Sequence, residues 1–508
     1  MGAMQPGHHA ATRPDAPAVV MAGSGDRVTF AELDTASSRL ANLFRERGLG
    51  PGSHLAVLLP NHPSYFEVVW AGLRNGMHVT PINWHLGPEE AGYIVEDCDA
   101  DVIVTSGDLA ELLGQMEPHL AGVRTRLLIE GDVAGFEPYE DAIGGQPSEA
   151  PEGEVDGQFM FYSSGTTGRP KGILSPLPGQ PFGTQVGFHL LLGGLYGFGE
   201  DTTYLSPAPL YHAAPLGWSI GTQALGGTVV VMERFDPAGA LDAIAAHRVT
   251  HAQFVPTHFV RMLKLPEATR SAADLSSLRT VIHAAAPCPV EVKRQMLEWW
   301  GPLLHEYYAG SEGNGFCVVG PDEWLERPGT VGRSIHGTVH VVDDEGRELP
   351  AGHEGQIWFE SDRRFEYHKD PAKTAAAFDE HGWSTLGDVG YLDEDGYLFL
   401  TDRVSNMIIS GGVNIYPREV EDVLVLHPAV ADVAVIGVPD EEMGEQVLAV
   451  VQPADGVAAD DVLAAELIDL CRSRIAHFKC PRAVEFMDEL PRLPTGKLLK
   501  RRLLERRS

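Results

Sequence analysis

Apolar positions along the chain switch between two spacings, and the switching predicts the architecture. Thr29-Phe-Ala-Glu32 has the form of a capping box, and Leu33, Ala36, Leu40 and Leu43 follow at helical spacing, so a helix is predicted to begin here. Beyond it HLAVLL, from His54, reads as a strand, SYFEVVWAGLRNG as a helix, HVTPIN as a strand, GPEEAGYIVEDC as a helix and DVIVTS as a strand. Such alternation predicts βαβ units and an α/β fold. The rhythm resumes in TVVVMERF, ALDAIAAHRV, HAQFVPT, LRTVIHAAAP and VEVKRQMLEWW, which predicts a second α/β lobe.

From about Gly329 to Thr401 the pattern changes to short strands with Gly/Asp turns (HVVDDEGREL, GQIWFES, GYLFLTD), as in a smaller β-rich subdomain. From about Ser405, helix EVEDVLVLH, strands VADVAVIGV and QVLAVVQP and helix DDVLAAELIDLCRSRI predict a compact α+β domain. The expected division is a large N-terminal domain, residues 1–404, and a small C-terminal domain, residues 405–508. There is no internal repeat and no low-complexity tract.

Charge narrows the functions open to such a chain. Among 508 residues, 71 are acidic and 38 basic, a formal net charge of −33. That balance repels nucleic acid and anionic lipid, so a general binder of either is excluded. The five cysteines, Cys98, Cys288, Cys317, Cys471 and Cys480, are scattered without a CxxC, which predicts buried free thiols rather than a disulfide framework or zinc cluster. No apolar run approaches the roughly 18 residues of a membrane span, and the first residues lack the apolar core of a signal peptide. A cytoplasmic location is expected.

The most informative segment is Phe161-Tyr-Ser163-Ser164-Gly165-Thr166-Thr167-Gly168-Arg-Pro-Lys171-Gly172, after the strand-like stretch QFMFY. Small residues let successive backbone N–H groups face one anion, hydroxyls add donors, and a lysine supplies a mobile positive charge. In chemical terms this is a polyphosphate cradle. It is not a Walker A loop, because Pro170 precedes the lysine and Gly172, not Ser or Thr, follows it.

The whole string resembles the phosphate loop of the adenylate-forming superfamily, which comprises acyl-CoA synthetases, nonribosomal peptide adenylation domains and luciferases. Further family motifs follow in order to the C-terminus. Glu306-Tyr307-Tyr308-Ala309-Gly310-Ser311-Glu312 resembles the family's Tyr-Gly-x-Thr-Glu element, with Ala for Gly and Ser for Thr. The resemblance implies nucleotide contacts from Tyr307, Tyr308, Ala309 and Ser311, with Tyr308 stacking on adenine and Ser311 holding the α-phosphate. It also implies Glu306 on the adenine amine and Glu312 carrying Mg²⁺ between phosphate oxygens. Ala284-Ala285-Ala286-Pro287 corresponds to the strand end that lies flat on adenine, and Asp388, with Arg403 as cationic companion, to the ribose ligand.

The segment Asp402–Pro417 is similar to the family hinge, at Ser405, where relatives usually carry Asp or Lys. Gly411 and Gly412 admit a narrow thiol-bearing arm of coenzyme A, though a plain turn before a helix explains them equally well. Pro491–Lys497 is similar to the family's C-terminal lysine loop, which makes Lys497 the expected catalytic residue, bridging substrate carboxylate and α-phosphate. His212 falls at the family position between nucleotide and acyl sites, and Trp218, Thr257, Ala309 and Gly310 at acyl-binding positions. A buried Arg261 would anchor a second carboxylate, whereas the ordinary place for an arginine on a helix is the surface.

These parts imply an ATP-dependent acyl-CoA synthetase. A carboxylic acid, ATP and Mg²⁺ give acyl-AMP and pyrophosphate, coenzyme A then displaces AMP, and the small domain rotates between the steps. The motif wording is closest to fatty-acyl-CoA synthetases, so a medium- or long-chain fatty acid or another bulky apolar acid is the expected substrate, in lipid metabolism. An enzyme loading a discrete carrier protein and an inactive nucleotide-binding regulator are the two competing readings, and a homodimer is compatible with each. Residues 492–508 carry seven basic side chains and one acidic, which marks this tail as a local source of positive field for polyanions.

Overall fold

The computed structural model describes residues 4–163, 169–184, 187–403, 406–411, 413–440, 443–492 and 498–507. The chain divides into two compact units, one of residues 1–253, 272–281 and 364–375, the other of residues 254–271, 282–363 and 376–508.

In the first unit the predicted rhythm is realised as parallel sheets covered by helices. A six-stranded sheet runs in the order Glu137–Pro138, Thr125–Ile129, Val102–Ser106, His54–Leu58, His78–Pro81, Gln158–Phe159, every pair parallel. Val102–Ser106 is buried throughout and His54–Leu58 after its first residue, the continuous apolar run expected of strands covered on both faces. Strands Thr203–Ser206, Thr228–Val231 and Pro17–Met21 pair in parallel as the second lobe, closed by the antiparallel edge strand Arg27–Thr29.

Helix Phe30–Glu46 starts at the predicted capping box, with Glu32 Nα–H donating to Thr29 Oγ1 and Thr29 N–H to Glu32 Oε2. Its buried face holds Ser37 and Ser38 beside Leu33, Leu40 and Leu43, because the buried guanidinium of Arg74 donates to both hydroxyls, at 2.8 and 2.6 Å. The stretch read as one strand at QFMFY is two. Gln158–Phe159 joins the parallel sheet, whereas Phe161–Ser163 turns away into an antiparallel hairpin with Lys171–Leu174.

The second unit is mainly antiparallel. The order Thr338–Val342, Gly355–Glu360, Asp388–Leu392, Leu398–Arg403, Thr330–His336, Phe316–Val319, Leu304–Ala309 extends the expected β-rich subdomain upstream by two strands. Nearer the C-terminus a five-stranded sheet is built on the long hairpin Val430–Asp440 and Gly444–Pro453. Its pleat feeds two cores: Val433 and Val435 face helices Pro417–Leu424 and Asp461–Arg474, while Ala434 and Ile436 face Leu503 of the tail helix Lys500–Glu505. All five cysteines are free and buried, as expected. Among the described residues no helix is long and apolar enough to cross a membrane.

Within HAQFVPT the strand stops at Phe254, and Pro256 opens helix Pro256–Leu263 from its first position, where proline's missing N–H costs nothing. On this helix His258 is buried, edge-on to Phe254, and burial first, then Arg261, lowers its imidazole to about 3. In the unfolded chain the ring titrates near 6.5, so below that pH the unfolded state takes a proton that the folded state refuses. Stability is therefore full above about pH 6.5 and falls as pH drops toward 3, by about 2 kcal/mol at pH 5. In urea unfolding at pH 8 and pH 5, His258→Gln should lose less stability than the parent by about that amount; an equal loss contradicts the assignment.

Candidate active site

The best-defined part of the site is a carboxylate clamp in the second unit. The turn before strand Asp388–Leu392 is fixed by Thr385, whose hydroxyl donates to the Ile357 carbonyl at 2.7 Å and accepts from Gly387 N–H at 3.0 Å. Gly387 has φ +79°, a left-handed conformation that strains a residue with a Cβ, and the chain leaves it with Asp388 pointed at its neighbours. Across the ladder Asp388 lies opposite Arg403, whose Nε donates to Asp388 Oδ1 at 3.0 Å. From strand Leu304–Ala309, Tyr308 Oη–H donates to Asp388 Oδ2 at 2.6 Å.

Asp388 is 8% exposed, and burial together with this carboxylate pushes the Tyr308 phenol far above its ordinary range, so Tyr308 is a proton donor at any working pH. A carboxylate offers about four lone-pair directions, so two bonds from protein leave room for two more from a ligand's hydroxyls. Arg403 and Tyr308 thus hold a charged acceptor in one orientation.

The small-residue turn beside it is drawn close to the clamp. A Cβ on Gly310 would sit 2.7 Å from a Leu386 methyl and 2.8 Å from Glu312 Oε2, so glycine lets this turn lie against Leu386 with neither side chain displaced. Ala309 and Glu312 are half-buried and Ser311 is exposed. After strand Thr280–His283, Ala284 is buried and Ala285 and Pro287 are exposed, with Ala286 between. Ala285 has φ +73°, which costs a residue with a Cβ about 1–2 kcal/mol and concentrates strain where the sequence places the adenine face.

Two side chains have partners that the sequence does not announce. Glu306, expected on the adenine amine, has its Oε2 against the fully buried Lys293 ammonium at 2.6 Å, with His283 Nε2 3.4 Å away. A buried charge is held by its partner, so Glu306 neutralises Lys293, which also lies over the Trp324 ring, 4.7 Å from its centroid. Tyr307 is buried and stacks on Phe316 of the next strand, at 5.0 Å and 9°, a cross-strand packing pair rather than an exposed nucleotide face.

In the first unit the hairpin of Phe161–Ser163 and Lys171–Leu174 sets Lys171 opposite Ser163, so both side chains share one face. Lys171 Nζ lies 3.1 Å from Asp370 Oδ2. Ser164, Gly165, Thr166, Thr167 and Gly168 lie outside the described residues, as do Ser405, Gly412 and Lys497.

His212 is half-buried at the N-terminus of helix Ala213–Ala224, its ring 4.2 Å from that of Tyr211. Trp218, expected to touch an acyl chain, is only 2% exposed, enclosed by Phe188, Tyr196 and Phe198 at 5.7, 5.4 and 5.7 Å. The ring left accessible is that of Phe188, 39% exposed and edge-on to Trp218. In the sequence its only signal is the largely apolar run GFHLLLGGLY, interrupted by His189.

In the second unit Thr257 is half-buried at the second position of its helix and Arg261 is exposed, which removes the buried second-carboxylate anchor. Gly411 is exposed, and the Met443 side chain packs against its Cα. The tail is less cationic in effect than in count: Arg492 pairs with Asp432, Lys500 with Glu421, Arg501 with Glu505 and Arg507 with Glu485. Its expected local field is thereby reduced on the spot.

Comparison with known proteins bears on what these parts make together. The AMP-binding enzyme family matches residues 7–365, and the AMP-binding enzyme C-terminal domain residues 419–497. Feruloyl-CoA synthase of an Amycolatopsis species is 36% identical over 482 residues, spanning 94% of this chain and 93% of its own. Long-chain-fatty-acid–CoA ligase FadD13 of Mycobacterium tuberculosis (strain ATCC 25618 / H37Rv) is 31% identical over 494 residues, spanning 95% of this chain and 93% of its own. Among solved structures, ATP-bound MatB from Rhodopseudomonas palustris superposes with a TM-score of 0.83 at 28% identity, covering 99% of both chains. The chain belongs to the AMP-binding enzyme family, the adenylate-forming superfamily.

Proposed function

We propose that this enzyme activates a bulky apolar carboxylic acid, a medium- or long-chain fatty acid or another acid of that character, and delivers it to free coenzyme A in the cytoplasm. It is an AMP-forming acid–CoA ligase, using ATP, Mg²⁺ and coenzyme A. The observation that carries the nucleotide half of the reading is the Asp388 clamp, a fixed, charged acceptor suited to two vicinal hydroxyls. The apolar half rests on Phe188, an exposed ring backed by Trp218, Tyr196 and Phe198. Relatives named for feruloyl and long-chain acyl substrates are consistent with it.

Chemically, the substrate carboxylate oxygen attacks the α-phosphorus of ATP and pyrophosphate leaves; the thiol of coenzyme A then attacks the acyl carbonyl and AMP leaves. Neither step needs a protein nucleophile, so catalysis consists of positioning and charge stabilisation. In this reading Ala284–Pro287 and Tyr308 bracket the adenine, Asp388 takes the ribose hydroxyls, and Ser163, residues 164–168 and Lys171 take the phosphates. His212 stands between nucleotide and acid, Thr257, Ala309 and Gly310 contact the acid, and Gly411 and Gly412 contact the thiol arm.

Among the described residues no group of three or more His, Cys, Asp or Glu forms a metal cage. A single carboxylate, Glu312, suits Mg²⁺, which draws most of its ligands from phosphate oxygens and water and lowers the charge of the phosphates it binds. Lys497 stabilises charge at the α-phosphate in the first step only, so the C-terminal domain, residues 405–508, turns about Ser405 between the two steps.

Incubation with a panel of aliphatic, alicyclic and aryl acids, ATP, Mg²⁺ and coenzyme A should give equal amounts of AMP and acyl-CoA, greatest for bulky apolar acids. A preference for short polar acids, or acyl transfer only to a carrier protein, contradicts the proposal. Lys497→Ala should slow acyl-AMP formation by about 10²–10³ while thioester formation from supplied acyl-AMP stays within about threefold, as for loss of one transition-state donor. Equal losses in both half-reactions contradict the single-step role.

A further inference from the structure

We propose that Asp370 is a positioning residue that holds Lys171 in place for the phosphates of the nucleotide, and that segment 364–375 is built to present it. The proposal rests on the phosphate role of Lys171 given above. The starting observation is the ion pair, with Lys171 Nζ 3.1 Å from Asp370 Oδ2 and the two side chains 23% and 35% exposed. A lysine at the mouth of a phosphate loop has a stem of four rotatable bonds, and a fixed carboxylate at its tip removes most of that freedom before any ligand arrives.

Asp370 is itself fixed. Its other oxygen, Oδ1, accepts from Lys373 N–H at 3.0 Å, and its own N–H donates to the Tyr367 carbonyl at 3.0 Å. The Lys373 N–H first, and then Lys171, hold its carboxyl below the ordinary range, so it is a carboxylate at working pH. One oxygen is committed to the backbone and one to Lys171.

The segment around it is docked from two sides. Strand Glu366–Tyr367 adds to the free edge of Lys171–Leu174, with Tyr367 opposite Ile173 and Glu366 opposite Leu174, and His368 N–H donates to the Gly172 carbonyl at 2.8 Å. This register runs the chain back alongside Lys171. On the other side Lys369 Nζ donates to the Asp97 carbonyl and to Asp99 Oδ1, both at 2.8 Å, and His368 Nε2 lies 3.6 Å from Asp99.

Between the two anchors Lys369 takes φ +55°, a left-handed conformation that a residue with a Cβ adopts only when its surroundings impose it. That twist separates neighbouring side chains, sending Lys369 to Asp97 and Asp99 while Asp370 meets Lys171.

A carboxylate near a triphosphate also repels it, so the sign of the effect has to be argued. The repulsion acts across a partly exposed, screened gap, whereas the lysine contact is direct, so the ordering of Lys171 dominates. A lysine ammonium carries three donors, and one spent on Asp370 leaves two for phosphate oxygens.

Isothermal titration of the full chain with ATP and, separately, with AMP tests this. Asp370→Asn keeps an acceptor for Lys373 N–H and removes the charge that holds Lys171. It should weaken ATP about three- to tenfold, the cost of ordering one flexible side chain, and leave AMP within about twofold. Lys171→Ala should weaken ATP at least as much, and the double variant no more than Lys171→Ala alone. ATP binding that is unchanged or tighter in Asp370→Asn, an equal loss for ATP and AMP, or additive losses in the double variant would each overturn the proposal. If Lys171→Ala binds ATP as the parent does, the phosphate-loop reading fails and takes the proposal with it. If Lys171→Ala loses ATP and Asp370→Asn does not, the proposal alone fails.

Discussion

A carboxylate that is 8% exposed keeps its charge only if the protein supplies partners, and Asp388 has two of opposite kind, a guanidinium and a phenol. The loops and strand ends around Asp388 in the second unit are arranged around satisfying that one charge. The antiparallel ladder sets Arg403 opposite Asp388, the next strands bring Tyr308 across, and Gly310 gives up its side chain so that the neighbouring turn can close on the same loop. What results is an acceptor that cannot rotate away and still has lone pairs to offer.

The same device answers how a chain of net charge −33 can hold polyanions. The composition does not supply a diffuse basic surface, and among the described residues of the tail Arg492, Lys500, Arg501 and Arg507 are paired with Asp432, Glu421, Glu505 and Glu485. Positive charge is instead rationed to individual side chains held by carboxylates, Arg403 by Asp388 and Lys171 by Asp370. Beyond about 8 Å such charges are screened, so attraction is confined to the point of contact. Selectivity for a nucleotide then comes from placement more than from net field.

The parts of this structure legible in the sequence are those whose cause is local. The capping box at Thr29 and Glu32, the apolar runs of the parallel strands and the alternating patterns at the C-terminal hairpin all report a backbone preference within a few residues. The pairing of Asp388 with Arg403 was legible because both sit in ordered motifs, whereas the bond from Tyr308 to Asp388 was not. Partnerships across long stretches of chain were not: nothing near Glu306 in sequence announces Lys293 as its buried partner, and nothing near Lys171 announces Asp370. The packing of Trp218 was hidden for a related reason, since family position marks it as an acyl contact but does not announce the rings of Phe188, Tyr196 and Phe198 around it. The split of QFMFY between two sheets is likewise decided by pairing, with Gln158–Phe159 on one partner and Phe161–Ser163 on another.

The claim that the clamp reads ribose hydroxyls is tested most directly by a binding cycle with ATP and 2′,3′-dideoxy-ATP on the parent and on Asp388→Ala. Two charge-assisted hydrogen bonds should make the parent prefer ATP by at least about tenfold, and the variant should bind both nucleotides equally. A parent that does not distinguish them, or a variant that keeps the preference, would contradict the role of Asp388.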